Sequence, residues 1–131
     1  MFGNMLNQIE CAHLAAWPTG SRYICDPPVT TTDVDFVLFV DDIQAAYKQL
    51  RETSWKIGGE DNKTYGEPEV NSWFSAKKKI NEALVNYIVV SDQDQFSKWV
   101  TATELAKKLN LLKKEDRIAL FGVVVKGEKL Y

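Results

Sequence analysis

From Asp33 to Val40 the chain reads Asp-Val-Asp-Phe-Val-Leu-Phe-Val, a run of β-branched and aromatic residues continuous in the way of a central strand. Side chains at i and i+2 of a strand share a face. Asp33 and Asp35 therefore stand side by side on an element that otherwise reads as buried. Two like charges in that position repel each other and resist desolvation. Something positive should be there. The competing reading is that the two carboxylates cap a strand end open to water, with Thr32 and Asp33 in a turn.

The chain around this run is large enough to bury it. Its 131 residues, 45% hydrophobic and 26% charged, fit one soluble domain with a real core, spanning 1–131. A net charge of −2 and an isoelectric point near 5.4 argue against a general polyanion binder and leave room for a local basic patch. Cys11 and Cys25 lack metal-type spacing and are too few for a disulfide scaffold, which favours a reduced intracellular compartment. No apolar run approaches the roughly 18 residues of a membrane span, and the N-terminus lacks a signal peptide's charged start and apolar centre. The expectation is a cytoplasmic protein with no membrane partner.

Phe2, Met5, Leu6, Ile9, Ala12, His13 and Ala16 recur at helical spacing, so the pattern predicts a first helix that Pro18 stops. Gly20-Ser21 then turns into a short strand over Arg22 to Cys25, and a Pro-Pro corner and three threonines lead to the Asp33–Val40 strand. Asp41 or Asp42 caps a helix with Ile43, Ala46, Tyr47 and Leu50 on one face. Ser54 to Pro68 reads as a long loop with a short strand at Trp55 to Ile57. Asn71 to Lys78 and Leu84 to Val90 are two strands joined by a short turn. Ser91-x-x-Asp94 resembles a capping box that opens a helix through Leu109, with Phe96, Trp99, Val100 and Ala106 inward. Lys113 to Val125 forms a last helix, unless Val123 to Val125 makes a strand.

A Gly-Ser turn, a spacer, then acid-apolar-acid-apolar on a strand resembles the polymerase-β-type nucleotidyltransferase superfamily. Here Gly20-Ser21 is followed by eleven residues, Arg22 to Thr32, and then Asp33-Val34-Asp35-Phe36. The resemblance covers about 7–90, with the C-terminal helices, about 91–126, standing as the family's appended helical part. It implies an α+β fold, a small mixed or antiparallel sheet flanked by helices. It also implies that Asp33 and Asp35 bind divalent metal, usually Mg2+, bridging to the phosphates of a nucleoside triphosphate, while Gly20 and Ser21 contact those phosphates. Hard divalent cations prefer carboxylate oxygens, and a glycine turn lets backbone donors approach phosphate closely. Arg22, next after the turn, can reach a triphosphate. In length and layout the chain also looks like the short nucleotidyltransferase-like proteins often encoded by tailed bacteriophages, which implies a host-cytoplasm location.

One position departs from the family pattern. The third carboxylate usually lies on a neighbouring strand, here Leu84 to Val90, and its place is taken by Asn86. An amide carbonyl can ligate magnesium, but it is neutral and cannot accept a proton from an attacking hydroxyl. Glu82, Asp92 and Asp94 do not replace it convincingly. His13, on the stripe of the first helix, reads as packed and hydrogen-bonded. Trp17, Trp55, Trp73 and Trp99 read as core or groove walls, with Trp55 also placed to stack a base. Lys77, Lys78 and Lys79 are either a solvated strand end or phosphate neutralisers. Two classes follow. One is an enzyme, with Asp33, Asp35 and Asn86 at its centre, moving a nucleotidyl group from the triphosphate to a hydroxyl on RNA, a protein or a small molecule. The other is a degenerate module that keeps nucleotide or partner recognition without turnover.

Overall fold

The predicted central strand lies second in a five-stranded mixed sheet. The computed structural model describes residues 9–27, 33–58 and 73–127. Within them the order is β1 (Ala15–Thr19), α1 (Ser21–Ile24), β2 (Val34–Phe39), α2 (Ile43–Glu52), β3 (Lys56–Ile57), β4 (Trp73–Ile80), β5 (Ala83–Val90), α3 (Gln93–Lys108) and α4 (Lys114–Val124). The strands run β1-β2-β5-β4-β3 across the sheet. β2 and β5 pair in parallel, and the other neighbours are antiparallel.

Period-two alternation splits the sheet into two chemically distinct faces. Val34, Phe36, Leu38, Val85, Tyr87, Val89, Phe74 and Ala76 point to one side and bury against Ala46 and Leu50 of α2. Burying a side chain such as Phe36 or Leu38 contributes about 1.5–3 kcal/mol. Asp42, the helix cap, accepts from the backbone N–H groups of Gln44 and Ala45 at 3.1 and 3.2 Å. The opposite face carries Asp35, Asn86, Ile88 and Val90, and α3 packs across its β1, β2 and β5 part.

Four sequence expectations are corrected. Ala15–Thr19, and Pro18 with it, belong to a strand rather than to the end of a helix. Pairing with β2 overrides the local helical spacing, and β1 is an edge strand, where proline is tolerated. Arg22 to Cys25 is not a strand, because Gly20 redirects the chain and Ser21–Ile24 closes one helical turn. Tyr23 and Ile24 donate to the Gly20 carbonyl at 3.1 and 2.9 Å. The cap of α3 is Asp92, not Ser91, and it accepts from the Asp94 N–H at 2.9 Å. Val123 and Val124 continue α4, so the strand alternative there fails. Phe2, Met5 and Leu6 of the predicted first helix, Thr30 to Thr32, most of the Ser54–Pro68 loop and Asn71 lie outside the described residues.

Candidate functional site

The registers of four strand pairs place one row of side chains across the sheet. Thr19 pairs with Asp35, Asp35 with Asn86, Asn86 with Lys77, and Lys77 with Lys56. Adjacent strands lie about 4.8 Å apart, so the row brings a carboxylate, an amide and an ammonium side by side. Asp33, immediately before β2, joins them: the Lys77 Nζ sits 3.5 Å from its Oδ2. The positive group that two neighbouring carboxylates demand is therefore Lys77. Its side chain is 44% exposed and that of Asp33 31%, so this ion pair is wet and contributes little to stability.

Gly20 is fitted to Asp35. Its backbone lies at φ 80°, ψ 177°, a region essentially restricted to glycine. A Cβ built there would stand 2.0 Å from the Asp35 Oδ2. The turn and the carboxylate are thus in contact, and any side chain at position 20 would displace one of them. Hydrogen bonds from distant sequence hold the turn. Thr103 donates its hydroxyl to the Trp99 carbonyl at 2.7 Å, which leaves Thr19 to donate to Thr103 at 2.7 Å. The Tyr23 hydroxyl reaches both Glu104 carboxylate oxygens at 3.1 Å, and Lys107 donates to the Tyr23 carbonyl at 2.8 Å.

Burial is the largest influence on Asp35 and pushes its carboxyl up to about 6. A hydrogen bond from the Asn86 side chain opposes this, the neighbouring Asp33 charge adds to it, and Lys77 and Arg22 oppose it again. Asn86 therefore uses its amide N–H toward Asp35. Its Oδ1 is buried and, among the described residues, has no hydrogen-bond partner. A buried acceptor left unsatisfied costs about 1–3 kcal/mol, so this oxygen is a place where a cation or donor is wanted.

Above the row lies an open pocket of about 270 Å³. Gly20, Asp35 and Ile88 form its floor, while Trp99 of α3 and Ile118, Phe121 and Gly122 of α4 form its wall. Arg117, also on the lining, donates to the Leu111 and Leu112 carbonyls at 2.9 and 2.8 Å and lies 3.3 Å from the Cys25 sulfur, which pins α4 beside α1.

Gly20, Asp33, Asp35 and Asn86 are thus brought together. Arg22 is near enough for its charge to act on Asp35, and Ser21 opens the helical turn. Comparison with protein-family models, curated proteins and solved structures finds no match. Among the described residues, no group of three or more His, Cys, Asp and Glu gathers closely enough to hold a metal. The side-chain oxygens of Asp33, Asp35 and Asn86 are the donors the row offers beside the Thr19 hydroxyl.

Two readings of single residues are corrected. Trp55 is buried at 4% exposure, stacked on Tyr87 with centroids 4.2 Å apart, and is not open to a base. Its indole donates to Glu10 at 2.8 Å. His13 is hydrogen-bonded, its Nδ1 lying 2.8 Å from the Cys11 carbonyl, but it is exposed and on no helix. The residues missed are Lys77 as the partner of Asp33 and the α4 side of the pocket. Alternation along β4 could have singled out Lys77, since Phe74 and Ala76 claim the core face and turn Lys77 to the other. For Arg117 and Phe121 no motif exists to read.

Proposed function

We propose that this chain is a nucleotidyltransferase-like protein that binds a nucleoside triphosphate with Mg2+ through Asp33 and Asp35 and transfers its nucleotidyl group to a hydroxyl acceptor. The observation that carries the reading is the contact between the Gly20 turn and the Asp35 carboxylate, with Asp33 alongside. The donor set suits a hard divalent cation: two carboxylates and the Asn86 Oδ1, which has no hydrogen-bond partner among the described residues. Asp33, Asp35 and Asn86 would hold it, and when bound it supplies charge neutralisation for an in-line phosphoryl displacement. The Gly20 turn lets the phosphates approach the backbone, and Arg22 adds positive charge. Asp35, floor of the pocket, orients what enters it. Trp99, Ile118 and Phe121 present an apolar wall on one side.

A second reading is a binding module without turnover, and two contacts favour it. Asn86 stands where a proton acceptor is expected and donates to Asp35, and Lys77 already neutralises Asp33. Thermal shift with each nucleotide, with and without magnesium, followed by transfer of labelled nucleotide to RNA, protein and small-molecule acceptors, separates the two. Magnesium-dependent stabilisation with transfer supports the enzyme, and stabilisation alone supports the module. Neither effect with any nucleotide would remove both readings.

A further inference from the structure

The half of the site-bearing face that lies on β4 and β3 carries a second feature. α3 covers β1, β2 and β5, whereas the described helices make no comparable packing on this side of β4 and β3. Lys77 and Lys79 share this face of β4, and Lys56 of β3 stands directly opposite Lys77. Lys78, on the other face, is taken up by Glu10 and the Thr53 carbonyl at 3.1 and 2.8 Å. Like charges directly opposite on adjacent strands are unfavourable, so the fold carries Lys56 against Lys77 at a cost. Asp33 offsets one of the three ammonium groups, and among the described residues neither Lys56 nor Lys79 has an ion-pair partner. Trp73 and Leu84, 39% and 41% exposed, lie on the same face. In a chain of net charge −2, this concentration of lysines is local.

We infer that this sheet face, left uncovered by the described helices, docks a single-stranded nucleic acid and leads its terminal hydroxyl to Asp33 and Asp35. The inference rests on the nucleotidyltransferase reading for the role of that hydroxyl, but the binding itself does not need it. Lys56 and Lys79 complement phosphates, and the partly exposed Trp73 and Leu84 offer apolar contact to unpaired bases, a combination that tracks a strand without reading its sequence. A strand laid on this face reaches the row at Lys77, next to Asp33. The acceptor is then a polynucleotide rather than a protein or a small molecule.

Fluorescence anisotropy of labelled oligo(U) and oligo(dT), in EDTA and without nucleotide, tests the docking separately from catalysis. Two phosphate contacts, from Lys56 and Lys79, give a slope of log affinity against log salt of about −1.4. Lys56→Ala with Lys79→Ala should weaken binding about tenfold or more at low salt and reduce that slope by more than half. Lys108→Ala with Lys113→Ala, at the far end of the helical part, should leave it unchanged. Magnesium-dependent nucleotide binding should survive in both double variants, and its absence in the wild type would count against the function reading alone. No oligonucleotide binding, equal loss in both variants, or binding of poly-glutamate as tight as that of the oligonucleotides would overturn the proposal.

Discussion

At the residue scale the site is governed by what burial does to Asp35. Its carboxyl titrates near 6 in the folded chain, above the usual aspartate value, chiefly because burial disfavours the charge. A folded-state value above the unfolded one means the stabilisation is fully present below the unfolded value, near pH 4, and is lost as pH rises through about 6. Without metal, Asp35→Asn should therefore stabilise the protein at pH 7–8 by up to about 2–3 kcal/mol, and the gain should vanish near pH 4. Urea denaturation at the two pH values measures this; strong destabilisation at pH 8 would mean that the charged carboxylate has a structural partner. Gly20→Ala should cost about 1–3 kcal/mol from backbone strain alone. In the Asp35→Ala background the cost should fall, because the clash with the Asp35 oxygen is gone while the strain remains. Asn86→Asp should weaken the metal-free fold by adding a third carboxylate. If the missing proton acceptor limits turnover, the same change should raise magnesium-dependent transfer by up to about two to four powers of ten.

The elements are joined around the turn by residues far from it in sequence, and here the helical part has its consequence. Arg117 ties α4 to the α3–α4 connection and to Cys25, so Arg117→Ala should destabilise by about 1–3 kcal/mol, because two carbonyls lose a charged donor. It should also open the pocket wall, seen as increased proteolysis within α4; a variant as stable and as resistant as the wild type would refute the clamp. These contacts also mark where the sequence stops being readable. β2, α2, β4, β5, α3 and α4 were legible because each carries its own period, cap or turn. β1 was not, since its residues copy helical spacing and only the ladder with Val34–Phe39 makes them a strand. Asp33 and Asp35 were legible as neighbours through strand alternation, whereas Gly20 and Asn86 were singled out only by the resemblance to the nucleotidyltransferase motif. Lys77 as the partner of Asp33 was hidden by its two lysine neighbours, and the α4 wall by the lack of any local pattern.

For the whole molecule, the sheet presents two kinds of surface: a core face closed by α2, and a working face half covered by α3 and half bare of described helices. The acids lie at the boundary, where β2 meets β5 and the Gly20 turn folds against Asp35. The proposed metal-assisted nucleotide site and the proposed acceptor surface meet at that boundary. Calorimetric titration of nucleoside triphosphates into the wild type and into Asp35→Asn, each with magnesium and with EDTA, tests the central claim most directly. The account predicts binding by the wild type in magnesium only, and none by Asp35→Asn although that variant is folded and at least as stable. Nucleotide binding that persists in EDTA, or that Asp35→Asn leaves unchanged, would contradict it.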